Sequence, residues 1–421
     1  MGERAPMSGW RALRARPVVF IAVIGLVSAC AAPTVSIPAP TFAPSATAIS
    51  RPTAGVASAA AVPSPSATAR VSCVESVLQR MTTAQRIGQL FLLGLADNQL
   101  GQAERSAIQD EHVGSVWFTV QTSIGVAGIR AIATAVQAQA SAPSTAGVGF
   151  FIAANQEGGR IQALAGPGFS SIPSAVGQGG QSTSALTADA AAWGRQLRAA
   201  GVNLDFAPVV DVVPPGDDAA NQPIGVLERE YGHDPLTAGG HAAAFIVGMA
   251  QAGVATTAKH FPGLGRVLGN TDVTAGVVDA VTAANDPYLA SFRAAIGAGV
   301  PFVMVALATY TRIDPAHPAV FSTVVIDGLL RGDLGFQGVI MSDDLGATTA
   351  VATIPPGERA LEFLLAGGDL IVSRTTAATV ATVAAVQARV RTDPRVAARV
   401  DDAVRRVLAA KQAAGLLPCP G

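Results

Sequence analysis

Between residues 72 and 417 the chain alternates short apolar runs with longer alanine-rich or amphipathic stretches. Eight runs have the length and flanking residues of buried strands: 87–95, 113–120, 149–154, 202–209, 255–260, 302–308, 338–342 and 369–373. Helical stretches lie between them at 185–200, 236–252, 287–298, 357–365 and 376–390, and a last one covers 395–414. This βαβα order predicts a single α/β domain, a (β/α)8 TIM-type barrel with long loops. A doubly wound open sheet is the competing arrangement.

Upstream the pattern changes. Arg4, Arg11, Arg14 and Arg16 precede an apolar run at 18–27, too short to span a bilayer comfortably but suited to the core of a signal peptide. The run ends in Leu26-Val27-Ser28-Ala29-Cys30, which looks like a bacterial lipobox and implies cleavage before Cys30 and a lipid on its thiol. Residues 1–29 then form a lipoprotein signal peptide, and 30–71 a tether rich in Ala, Pro, Ser and Thr that has no helical or strand period. Residues 72–421 form the barrel domain. The expected location is the extracytoplasmic face of the cell membrane, reached through the lipid anchor alone. Cys73 and Cys419 open and nearly close the folded part. In an oxidising compartment a disulfide between them ties the ends of one domain together, with two free thiols as the alternative.

Composition narrows the function. Half the residues are hydrophobic and only 14% are charged, with a net charge of −1. Such a chain is too apolar to be disordered throughout and too neutral to bind nucleic acid through bulk charge. Lysine is nearly absent: only Lys259 and Lys411 occur among 28 basic residues. His112, His233, His241, His260 and His317 show no metal-binding spacing, no Gly-rich segment matches a phosphate loop, and no Gly-x-Ser-x-Gly elbow is present. No metal or organic cofactor is expected.

In a barrel of this kind the chemistry sits just after the strands. The scarce polar residues gather there: Asn155-Gln156-Glu157-Gly158-Gly159-Arg160, then Asp211 and Arg229, Lys259-His260, Asp343-Asp344 and Arg374. Asp343 should project into the barrel mouth, while Asp344 turns elsewhere, for example to cap the following helix. Asp272 lies in the long loop after Lys259-His260. Two acids at a barrel mouth suit glycoside hydrolysis, although barrels use strand-end acids for many reactions. Lys259 and Arg229 would hydrogen-bond sugar hydroxyls.

Lys259-His260-Phe261-Pro262-Gly263, Ser342-Asp343-Asp344-Leu345 and Gln156-Glu157-Gly158-Gly159 resemble the bacterial β-N-acetylglucosaminidases of glycoside hydrolase family 3. The stretches from Asn203 to Val212 and from Arg229 to Pro235 are also similar, in the same order, and the nearest likeness is to secreted actinobacterial lipoproteins. The resemblance implies a retaining exo-glycosidase with Asp343 as nucleophile and Asn155, Arg229, Lys259 and His260 gripping the sugar. Three positions depart from the family pattern. Asn270-Thr271-Asp272 stands where an Asp-Ser-His triplet supplies the usual acid/base histidine. Asn155 replaces a sugar-binding aspartate, and Ala163 replaces an arginine, with Arg160 nearby. Asp272 is then the candidate acid/base. The expected substrate is terminal β-linked N-acetylglucosamine on cell-wall muropeptide fragments, cleaved by a monomer. An exo-glycosidase or phosphorylase of other sugar preference, and a non-catalytic sugar-binding lipoprotein, remain as alternatives.

A Cys30→Ala variant should lose the diacylglycerol mass increment and move from the detergent phase to the aqueous phase in a partition assay. Retention in the detergent phase would refute the anchor.

Overall fold

A computed structural model describes residues 72–419; the expected signal peptide, Cys30 and the expected tether lie outside the described residues. Eight parallel strands form one sheet: β1 Phe91–Leu95, β2 Ser115–Phe118, β3 Phe151–Ala154, β4 Leu204–Asp205, β5 Ala255–Phe261, β6 Phe302–Val305, β7 Val339–Ser342 and β8 Ile371–Ser373. Each strand pairs with the next in sequence. β8 pairs back onto β1, with Phe91 opposite Ile371. A parallel bridge from Met341 to Leu370 joins β7 to the start of β8, and Asp369 and Leu370 both donate to Ile340 O. The ring is therefore closed. An open doubly wound sheet would leave two edges and a reversal in strand order, and neither occurs here.

A helix follows each strand: α1 Gln102–Asp110, α2 Gly125–Gln137, α3 Thr183–Ala199, α4 Pro235–Gln251, α5 Ala290–Gly297, α6 Val324–Asp333, α7 Pro356–Leu365 and α8 Thr376–Val390. α9, Pro394–Ala413, closes the chain. The strands are buried on both faces, so they read as continuous apolar runs such as Phe-Leu-Leu-Gly-Leu and Val-Ile-Met-Ser. Small residues let the helices pack closely. A Cβ at Gly248 of α4 would stand 2.4 Å from Thr187 O and 2.7 Å from the Ala190 Cβ of α3. α4 starts where its sequence says it should, with Asp234 accepting from Leu236 N and Thr237 N and Pro235 in the first turn.

All eight expected strands exist, but several are shorter than their apolar runs. The run at 202–209 yields only Leu204–Asp205 as regular strand, because Pro208 has no N–H to give to a ladder. Beyond it the chain still tracks β5, through a bridge from Val209 to Lys259.

The barrel floor is held by buried charge. Lys411 of α9, fully buried, donates to Gln89 Oε1 and Gly114 O at 2.7 Å and to Gly149 O at 2.9 Å, near the starts of β1, β2 and β3. Burial pulls its ammonium down to about 7. Asp369, at the start of β8, gathers Arg331, Arg399 and Arg406. The two cysteines are bonded, with Cα atoms 6.1 Å apart, so the bridge joins the first helix, Cys73–Arg80, to the segment after α9.

Replacing both cysteines with serine should lower the unfolding free energy by about 2–5 kcal/mol, since the bridge closes a very long loop. Urea unfolding of the oxidised and Cys73→Ser/Cys419→Ser proteins measures it; equal midpoints would contradict the expectation.

Candidate active site

The six residues proposed from sequence for catalysis and sugar binding line a single cavity of about 360 Å3 at the C-terminal mouth of the barrel. That is at the small end of the roughly 300–1,000 Å3 usual for small-molecule sites. Asn155 follows β3, Arg229 comes from the loop after β4, Lys259 and His260 end β5, Asp272 comes from the loop after β5, and Asp343 follows β7. Trp117, Phe206 and Arg374 complete the wall.

The centre of the site is Glu157, which the sequence placed in a motif without a role of its own. Its carboxylate is 6% exposed and takes both prongs of the Arg229 guanidinium, at 2.8 Å each, and Lys259 Nζ at 2.7 Å. Burial alone would raise the Glu157 carboxyl, but the two cations reverse that and hold it at about 2. Glu157 in turn raises the pKa of Arg229 despite that residue's burial. Lys259 Nζ also donates to Asn155 Oδ1 at 2.8 Å. The amide oxygen is thereby occupied, which leaves the Asn155 NH2 as the group free to meet a ligand.

The Gln-Glu-Gly-Gly motif owes its composition to this arrangement. Gln156 acts as a staple, its amide accepting from Leu164 N at 2.9 Å and donating to Leu164 O at 2.8 Å. Gly158 has φ of 103°, and a Cβ there would lie 2.2 Å from Pro173 O. Only glycine fits that approach.

Successive strand residues normally point to opposite faces. Lys259 and His260 nevertheless both reach the cavity, because the pairing of β5 with β6 shifts between Lys259 and Phe261. Asp211 then fixes His260. Its Oδ1 accepts from His260 N at 3.0 Å and Leu264 N at 2.9 Å, and its Oδ2 lies 2.8 Å from His260 Nδ1. A carboxylate at Nδ1 holds that nitrogen as the donor and leaves Nε2 as the second functional nitrogen.

The two candidate acids are joined through their own loops. Asn270 Oδ1 accepts from Asp272 N at 3.0 Å in an Asx turn. Thr349 N and Ala350 N, in the loop after Asp343, donate to Asp272 O and Thr271 O at 3.1 Å each. Asp343 Oδ1 accepts from Asp344 N at 2.8 Å, which sets its side-chain direction. The Asp272 carboxyl is solvent-accessible at the rim, yet surrounding protein and then the charge of Asp343 raise its pKa, against the pull of Arg229, His260 and Lys259. Asp344 does not cap α7. Its Oδ1 accepts from Gly346 N at 2.8 Å and Arg374 N at 2.9 Å, tying the β7 and β8 loops, and burial raises it to about 6. Arg374 lies over the Trp117 ring at 5.9 Å. Arg160, near the position where the family pattern has an arginine, is exposed and is not part of the cavity wall.

The arrangement is a buried cation–amide floor with two carboxyl groups above it, one of them with a raised pKa. Residues 82–410 match the model of the glycosyl hydrolase family 3 N-terminal domain. The chain belongs to glycoside hydrolase family 3. It is 33% identical to a β-hexosaminidase of Stenotrophomonas maltophilia over 295 residues, 67% of this chain and 82% of that one. The crystal structure of a β-N-acetylhexosaminidase from Beutenbergia cavernae matches with a TM-score of 0.78 and 46% identity, over 79% of this chain and 99% of that chain. M tuberculosis LpqI matches with a TM-score of 0.67 and 25% identity, over 79% and 94%. The family 3 chain is thus a glycoside hydrolase, a β-N-acetylhexosaminidase, which sets aside the reading of a non-catalytic sugar binder.

In this family 3 enzyme, Glu157→Gln should cost about 3–5 kcal/mol, because two buried cations lose their counter-charge. The Glu157 carboxyl titrates at about 2 when folded against an ordinary 4.5. Its stabilisation is therefore complete above the ordinary value and is lost as pH falls toward the folded one. Urea midpoints should drop across that window in the wild type and follow a flatter curve in Glu157→Gln; parallel curves would contradict the ion cage.

Proposed function

We propose that this enzyme removes terminal β-linked N-acetylglucosamine from cell-wall fragments with retention of configuration, while held by a lipid at Cys30 on the outer face of the cytoplasmic membrane. The observation that carries the chemistry is that Asp343 and Asp272 share one small cavity with Asn155, Arg229, Lys259 and His260. The lipobox-like sequence supports the setting. Among the described residues no helix is long and apolar enough to cross a membrane.

In the first step an Asp343 oxygen bonds to C1 of the sugar as the C1–O glycosidic bond breaks, and the departing oxygen takes the proton of Asp272. The surrounding protein and then the charge of Asp343 raise the pKa of Asp272, which favours its protonated form. Bonding to C1 removes the charge, so the pKa of Asp272 falls and its carboxylate becomes a base. In the second step a water gives its proton to Asp272 while its oxygen bonds to C1, and the C1–Asp343 bond breaks. The Asn155 NH2, Arg229, Lys259 and His260 hold hydroxyls and the acetamido group, with Trp117 and Phe206 as apolar walls.

An aryl N-acetylglucosaminide with a slow deglycosylation step should leave a covalent sugar on the peptide containing Asp343, and Asp343→Ala should show neither adduct nor turnover. Asp272→Asn should reduce kcat by about 10²–10⁴ and abolish the basic limb of the pH–rate profile, since activity requires the protonated form. An unchanged basic limb would remove Asp272 from the acid/base role. Release of N-acetylglucosamine from purified muropeptides, with membrane-bound wild type, tests the substrate.

A further inference from the structure

The long loop between β4 and α4 gathers three groups that the mechanism above does not use. A carboxylate oxygen of Asp218, one of Glu230 and a ring nitrogen of His233 lie within 4.8 Å of one another. Glu230 is 2% exposed. Neither its Oε2 nor Asp218 Oδ1 accepts a hydrogen bond. His233 Nδ1 stands 3.5 Å from Asp218 Oδ1 and 3.2 Å from Val213 O. Two carboxyl groups in contact in a buried setting need either a shared proton or a cation between them.

We propose that Asp218, Glu230 and His233 form a binding site for a divalent transition-metal ion of the Zn2+ type, separate from the catalytic cavity. None of the three lines that cavity. One imidazole nitrogen and two carboxylate oxygens make a donor set that suits Zn2+, with water in the remaining position. Ca2+ and Mg2+ prefer oxygen donors only and suit this set less well. Sequence spacing conceals the site, because Asp218 is far along the loop from the Glu230–His233 pair.

The position gives the ion a structural task. Glu230 is the neighbour of Arg229, whose guanidinium grips Glu157 and also donates to Pro223 O at 2.8 Å. A cation that joins Asp218 to Glu230 and His233 clamps the two limbs of the loop and fixes the backbone that carries Arg229.

The test is calorimetric titration of the full folded chain, stripped with a chelator, with ZnCl2 as the probe. One Zn2+ should bind per chain, and Tm should rise on saturation. Glu230→Gln and His233→Asn should each weaken binding by about tenfold or more. His233 is partly exposed, so its variant tests the site even if Glu230→Gln fails to fold. An Asp343→Asn/Asp272→Asn double variant should bind Zn2+ as the wild type does. Absence of binding overturns the proposal, as does binding that persists in both site variants. Binding lost in the double variant assigns the ion to the catalytic carboxyls and overturns it equally.

Discussion

One carboxylate, buried and ionised, organises the mouth of this barrel. Glu157 is almost inaccessible to water and could not stay charged there unaided. Arg229 and Lys259 make it possible, and each is fixed in return. Three strand ends and loops that are far apart in sequence meet at this ion cage: the segment after β3, the loop after β4 and the end of β5. Through Lys259 it also fixes Asn155. The site is thus assembled by charge compensation on a rigid parallel ring, and its polar groups are oriented before any sugar arrives.

Above this floor the electrostatics reverse. Asp343 and Asp272 face the cavity from loops that hydrogen-bond to each other through Thr349 and Ala350. The surrounding protein and then the charge of Asp343 raise Asp272, while the cations beneath restrain the rise. The Asp272 carboxyl is thus sensitive to the charge of Asp343. Asp211 belongs to a different circuit. It holds His260 in one orientation rather than serving as an acid.

The two lysines of the chain stand at opposite ends of the barrel, both buried. Lys259 works through a carboxylate and an amide at the mouth. Lys411 seals the floor by donating to three carbonyl-type oxygens from three separate segments. Both lysines sit where a compact ammonium meets oxygen acceptors in a buried setting.

Much of this could be read from the residues themselves. The eight apolar runs locate eight strands because a parallel barrel strand is buried on both faces and needs no alternation. Asp343, Lys259, His260 and Asn155 announce themselves because a polar residue directly after such a run must emerge at the C-terminal mouth. Asp234-Pro235 reads as a helix start from local chemistry alone. What the tertiary structure decided is how these residues use one another. Glu157 looks like one more polar residue until the fold brings Arg229 and Lys259 against it. Asp344 resembles a helix cap until the β8 loop supplies the Arg374 N–H. Closure of the ring, too, depends on β8 meeting β1, a pairing between the two ends of the chain that no local pattern encodes. Local sequence sets which groups are polar and where a strand ends; only the closed barrel sets the distances between charges, and those distances determine which carboxyls ionise.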